Sequence, residues 1–284
     1  MPVAIVSDTC HYLARELVAA NVIHEVSLYV HWSEETTRES EITDYDAFYE
    51  RLRTASELPT TSQPSIGDFL SVYQPLLEAG NEIVSIHLAG GMSGTVRSAE
   101  QAREQLGRDS EGIHVIDSAT ACGGEGLVLL AAAAAARTGA DGQAVSDRAL
   151  RAREELKMWF SIDTLEFLRR GGRIGGAQAW LGSMLQIKPI LTVESQITPV
   201  ERVRTSRRAF EWMVDLLRER AQAGADAWMV QHIQAPSEAE RLAERGREIF
   251  NNEPVTVSEI GPVIGAHVGP GLLGVGGIPS SFLQ

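Results

Sequence analysis

The chain has 284 residues, 44% hydrophobic and 22% charged, and its 25 basic and 38 acidic residues leave a net charge of −13. A field of that sign repels nucleic-acid backbones and anionic lipid surfaces, so any anion must be held by a local pocket. Two cysteines, Cys10 and Cys122, are too few for a disulfide framework or a four-cysteine zinc site.

Length favours two domains, with the change of character near Lys157 dividing 1–157 from 158–284. The longest apolar run, around Leu127 to Ala136, is too short and alanine-rich to cross a bilayer, so no stable membrane insertion is expected. Met1 to Val6 runs straight into a strand-and-turn pattern rather than a signal peptide, and a cytoplasmic location is expected.

Taken in order, Val3 to Val6 reads as a strand, Ser7-Asp8-Thr9 as its polar turn, and Leu13, Leu17 and Val18 as one helix face. Asp8, at a strand's carboxyl end, either orients a histidine or hydroxyl or caps the helix. Val26 to Val30 reads as a second strand, His31 to Asp44 as polar and exposed, and Asp44 to Arg53 as an amphipathic helix. Leu58 to Ser65 sets Thr60, Thr61, Ser62 and Gln63 between two prolines, a stiff loop of hydrogen-bonding side chains. Ser65 is placed to cap a helix carrying Phe69, Leu70 and Tyr73.

The stretch that organises the chain follows. Ile83, Val84, Ile86 and Leu88 predict a buried strand, Ala89-Gly90-Gly91 breaks it, and Ser93, Gly94 and Thr95 open a helix. The unpaired N–H groups of such a turn, with the Ser93 and Thr95 hydroxyls, form a seat for a carboxylate or acyl phosphate. Ser93 as an ordinary N-cap is the plainer reading of the same residues. Ile113 to Ile116, Asp117 to Thr120 and the alanine-rich run to Ala136 make a third strand–turn–helix repeat. Such alternation predicts an α/β fold with a mainly parallel sheet flanked by helices.

Met158 to Ile162 predicts a strand opening a smaller C-terminal α/β (α+β) domain. Thr164 to Ile174 then crowds Arg169, Arg170 and Arg173 around glycines, as helix-end charge or as an anion or docking patch. A hairpin is expected from Lys188–Val193 and Ile197–Arg204, then helices through Phe210–Leu217 and Ser237–Phe250 and strands at Trp228–Ile233 and Val255–Ile260. Near the end His267 sits in Gly261 to Gly271, among glycines and prolines that pre-aim it towards a carboxylate.

No Walker run, dinucleotide fingerprint or metal-ligand spacing is present, so no metal or cofactor is expected. Gly91-Met92-Ser93-Gly94-Thr95 misses the nucleophile elbow by its last residue. A Ser93–His267 acyl hydrolase, with Asp8 or Asp117 as orienter, stays open on these residues.

Thr60 to Ser65, Met92 to Thr95 with Ser98-Ala99, Phe167 to Ile174, Lys188 to Leu191 and Val263 to Gly271 together resemble the DegV family, and Asp8 and Asp117-Ser118 match its pattern. The resemblance covers nearly the whole chain. It implies a bacterial fatty-acid-binding protein with an N-terminal domain related to dihydroxyacetone kinase and the acid buried between two α/β domains. It implies that Thr61 or Ser62, Ser93 and His267 gather round the carboxyl group. A separate ATP-dependent fatty-acid kinase would phosphorylate that group, and the acyl phosphate would pass to an acyltransferase of phospholipid synthesis. The chain would then bind and present its ligand rather than catalyse. Arg170, Arg173, Arg202 and Arg204 would neutralise phosphate or dock the kinase. A binding module for a small carbonyl compound is the further alternative. The chain departs from the family pattern at Cys10-His11, Ala89-Gly90-Gly91, Arg97 and Ala121 to Glu125.

Overall fold

The computed structural model describes the backbone throughout and the side chains of all residues except 108–109 and 183–186. Val3–Asp8 forms β1, as expected, but no α-helix follows directly. Asp8 instead accepts from the Cys10 N–H and holds a single 3-10 turn, Tyr12 turns left-handed (φ 48°), and α1 begins only at Arg15 (Arg15–Ala20).

The expected strand Val26–Val30 is corrected to two. Ile23–Val26 (β2) stays beside β1, whereas Tyr29–Trp32 (β3) belongs to a separate antiparallel sheet. The break falls at Ser27, whose hydroxyl accepts from the Ser40 N–H, while Leu28 accepts from the Glu39 N–H, so the backbone there bonds to a returning segment instead of a sheet. That segment, expected to be polar and exposed, contains β4 (Glu35–Arg38), paired antiparallel with β3, and Glu39, which is 3% exposed. After α2 (Tyr45–Thr54), the expected loop at 58–65 supplies a short strand, β5 (Thr60–Ser62), on the other edge of β3. Ser65 then caps α3 (Ile66–Glu78) in a reciprocal box with Asp68.

β6 (Glu82–His87), α4 (Thr95–Gln105), β7 (Ile113–Asp117) and α5 (Cys122–Arg137) complete the repeats read from the sequence. The sheet they form is wholly parallel, in the order β2-β1-β6-β7. α6 (Gly142–Glu155) leads into β8 (Lys157–Ser161), the first strand of a second sheet.

That sheet has six strands in the order β10-β9-β8-β13-β11-β12. Short α7 (Glu166–Arg170) precedes the hairpin of β9 (Lys188–Glu194) and β10 (Gln196–Val203). α8 (Ser206–Gln222), β11 (Ala227–His232), α9 (Pro236–Phe250) and β12 (Thr256–Glu259) follow as expected. The rigid tail around His267 is a short helix, α10 (Pro262–Val268). Leu273–Ile278, where three glycines weaken any strand signal, is β13, a central strand between β8 and β11.

Two apolar cores tie the sheets together. One gathers Leu28, Tyr49 and Leu88 from the first half with Phe160, Leu191, Val263 and Leu272 from the second. Tyr49 also bonds across, its hydroxyl donating to the carbonyl of Ile260 at 2.6 Å. Among the described residues no helix is long and apolar enough to cross a membrane.

Candidate ligand-binding site

A cavity opens within this shared core. It encloses about 900 Å³ of atom-free space, its open mouth included. Its walls are mostly aliphatic and aromatic, with Leu28, Leu88, Phe160, Leu168, Val193 and Ile260 among them. Thr61, Ser62, Gln63, Ser93, Arg173 and His267 supply a polar set on the same surface.

Four separate stretches of the chain supply these polar residues. Thr61 and Ser62 ride on β5, whose register opposite Val30 and Tyr29 of β3 fixes which side chain faces where. The Thr61 hydroxyl lies 2.7 Å from His267 Nε2, and the Ser62 hydroxyl 2.7 Å from His31 Nε2. His31, missed in the sequence, is held from behind by Thr36 at 2.9 Å. Its signal was there, since His31 alternates with Val30 and Trp32 along β3, but a polar residue in a short strand reads as exposed.

Ser93 reaches the site through the turn after β6. The Met92 and Ser93 N–H groups both donate to the Ala89 carbonyl, and Asp117 accepts from the Gly90 N–H, tying the loop to the end of β7. The residue before α4 is Gly94 rather than Ser93, and the Ser93 hydroxyl pairs with that of Thr95 at 2.8 Å. Thr95 is fully buried and does not line the cavity. Gly94 lies beneath the amide of Gln63, which a Cβ at that position would approach to 3.0 Å. An open cleft over Gly90 to Gly94, Arg97 and Glu100 adjoins the cavity and shares Met92, Ser93 and Arg173 with it.

His267 is mostly buried, and its Nδ1 has no hydrogen-bond partner among the described residues. Burial, then the charge of Arg173, pushes its pKa down to about 4, so the imidazole is neutral near pH 7. The ring packs on the bare backbone of Gly171, where a methyl would overlap Nδ1. A hydrolytic triad is therefore not assembled. His267 is bonded to Thr61, and the two proposed orienters serve elsewhere. Asp8 faces His87 and the Leu88 N–H, and Asp117 binds Gly90 and Ala119.

The arginines separate into three groups. Arg173 lines the cavity and donates to the carbonyls of Met92 and Gly171. Arg170 is paired with Glu166 at 2.6 Å. Arg202 and Arg204 lie outside the cavity, in a surface pocket with Arg208 and Trp212, and Arg202 covers the Trp180 ring.

The family model described as that of the DegV family of uncharacterised proteins matches residues 2–280. The chain belongs to the DegV family. Among its DegV relatives, protein DegV of Bacillus subtilis is 35% identical over 281 residues, 97% of this chain and 98% of the relative. A DegV domain-containing protein of Clostridium acetobutylicum is 38% identical over 283 residues, 97% of each chain. The fold is also that of solved DegV structures. DegV of Bacillus subtilis, described as a fatty acid binding protein, superposes with a TM-score of 0.89 at 34% identity, covering 98% of this chain and 99% of that one. A DegV family protein of Thermus thermophilus, described for its fatty acid binding, gives 0.88 at 33% identity, covering 98% and 100%.

Proposed function

We propose that this protein binds a long-chain fatty acid and presents its carboxylate to a separate ATP-dependent fatty-acid kinase. The observation that carries the reading is the largely apolar cavity with Thr61, Ser93 and His267 on its surface. Fatty-acid binding by the similar DegV proteins of Bacillus subtilis and Thermus thermophilus supports it.

The energetics suit a tightly held lipid. Each methylene removed from water contributes about 0.8 kcal/mol, so a palmitate tail brings about 12 kcal/mol gross before ordering and association costs. A carboxylate drawn into the same site needs charge-assisted hydrogen bonds to offset its lost hydration. His267 protonated on Nε2 donates to Thr61, which frees the Thr61 O–H to donate to the ligand. Ser93, which shares its hydroxyl with Thr95, supplies a second O–H. Ser62 completes the surroundings of the head group, while Gly94 and Thr95, outside the cavity lining, hold the Ser93 turn in place.

In this reading residues 1–157 and 158–284 are two units with the ligand between them. The open cleft over Gly90 to Gly94 is the approach for the phosphoryl donor, with Arg173 and Arg97 at its edge. Arg170, Arg202 and Arg204 are docking charges for the kinase. The acyl phosphate then passes to an acyltransferase of phospholipid synthesis. The chain acts in the cytoplasm, with the acid as cargo and no metal or cofactor of its own.

The test is mass spectrometry of lipid extracted from purified protein, followed by titration of the delipidated protein with palmitate and oleate. Recovered long-chain acid and saturable binding, weakened in Ser93→Ala, are expected. Absence of both, or steady release of acid from an activated ester that Ser93→Ala abolishes, overturns the reading.

A further inference from the structure

On the face of the six-stranded sheet turned towards α5, β13 presents two glycines, Gly274 and Gly276, before its last residue, Ile278, restores a side chain. Gly274 lies opposite Phe160 of β8 and Gln231 of β11, and Gly276 lies opposite Met158 and Met229. Side chains two residues apart share a face, so these six positions make two successive rows across three strands, each with a glycine in the middle. The result is a trough floored by backbone. Gly274 lines the cavity, as do the four larger side chains around it.

At the second row the trough is closed. A Cβ on Gly276 would come within 2.9 Å of Met229 Cε, so the end of that side chain lies over the glycine, with Met158 Cβ, directly opposite on β8, equally close. The first turn of α5 covers them from above, again with glycines. A Cβ on Gly123 would stand 2.6 Å from the Met229 sulfur, and one on Gly124 2.7 Å from the Met158 sulfur. Two thioethers thus fill a slot whose floor and roof are both bare backbone. They differ in one respect. The Thr120 hydroxyl donates to the Met158 sulfur at 2.9 Å, whereas no polar group among the described residues holds Met229.

We propose that Met229 and Met158 form an adjustable end-stop to the acyl cavity, and that Met229, the unpinned one, sets the longest chain admitted. This rests on the fatty-acid reading above. Methionine is unbranched and soft, with three rotatable bonds, so it yields to a neighbouring chain at small cost. If Met229 swings aside, the trough continues over Gly276, two residues or about 6.8 Å further along the strand. The slot is walled by glycines and thioethers, and its nearest polar atoms, the Thr120 hydroxyl and the Gln231 amide oxygen, are already bonded, so the occupant it suits is further methylene chain.

The experiment titrates delipidated protein with saturated acids from laurate to behenate, for the wild type, Met229→Ala and Met229→Leu, with melting curves for each. Met229→Ala is expected to move the preferred acid to a longer one, raising affinity for arachidate relative to palmitate about tenfold as extra methylenes are buried. Met229→Leu keeps the bulk but loses adaptability, and is expected to narrow the range of lengths bound. Wild-type profiles in both variants overturn the end-stop while leaving fatty-acid binding intact. If Met229→Ala does not fold, Met229→Leu decides, and an unnarrowed range overturns the proposal. Binding of no acid by the wild type removes both readings together.

Discussion

The carboxylate of Glu39 accepts a hydrogen bond from the backbone N–H of Val263 at 2.8 Å, across 224 residues of sequence. Tyr12 adds its hydroxyl, which donates to the same carboxylate and accepts from the Ile264 N–H at 3.3 Å. Between them they satisfy the first free N–H groups of α10, the helix that carries His267, since Pro262 at its start has none. The N-terminal half therefore caps the element that aims the histidine.

Burial pushes Glu39 up to about 7, against the hydrogen bonds from Thr9, Val263 and Tyr12 that favour its charged form. A carboxyl raised in this way is protonated more readily in the folded chain than in the unfolded one. Its contribution to stability is complete below about 4.5 and is lost as pH rises to about 7. Glu39→Gln removes that loss, so melting temperature plotted against pH over this window should slope more steeply upward than in the wild type. An unchanged slope would contradict the assignment.

His267 tilts the same plot the other way. Its pKa is lowered from 6.5 to about 4, so the unfolded chain binds the proton more readily and stability rises with pH between those values. His267→Gln keeps a side-chain amide near Thr61 but does not titrate. The upward component should vanish, leaving melting temperature flatter or falling from acid to neutral pH. Opposite changes of slope in the two variants are checked in one set of melts.

Thr61→Val keeps the shape of the side chain and deletes the hydroxyl that faces His267. The expected cost is about 1.5–3 kcal/mol in binding a charged head group, or roughly tenfold to a hundredfold in affinity. Calorimetric titration with palmitate measures it, and the affinity of Ser71→Ala, on the exposed side of α3, should not move.

Two adjacent glycines separate fit from strain. Gly171→Ala places a methyl against His267 Nδ1, so the ring must move, at about 1–3 kcal/mol for overpacking together with loss of ligand affinity. Gly172 has φ +71° with no atom near a built Cβ, so Gly172→Ala pays only backbone strain of about 1–2 kcal/mol. Parallel melts and titrations should show both variants destabilised and only Gly171→Ala impaired in binding.

The sequence alone determined the three strand–turn–helix repeats, the parallel sheet and the capped start of α3. Those features are written in local periodicity, which records the buried face of each element. It also singled out Thr61, Ser62, Ser93, Arg173 and His267, because stiff hydroxyl loops and a histidine among glycines and prolines are local patterns. Tertiary structure alone decided which of them meet. Thr61 reaches His267 only because β5 pairs with β3 and because Glu39 and Tyr12 cap α10. Glu39 sits in a polar run and reads as solvated until Thr9, Tyr12 and Val263 enclose it, and β13, whose three glycines leave no strand signal, gains its ladder only from β8 and β11. Partners hundreds of residues away leave no trace in nearby spacing, so burial of a charge or the use of glycine as a floor becomes visible only once the chain has closed on itself.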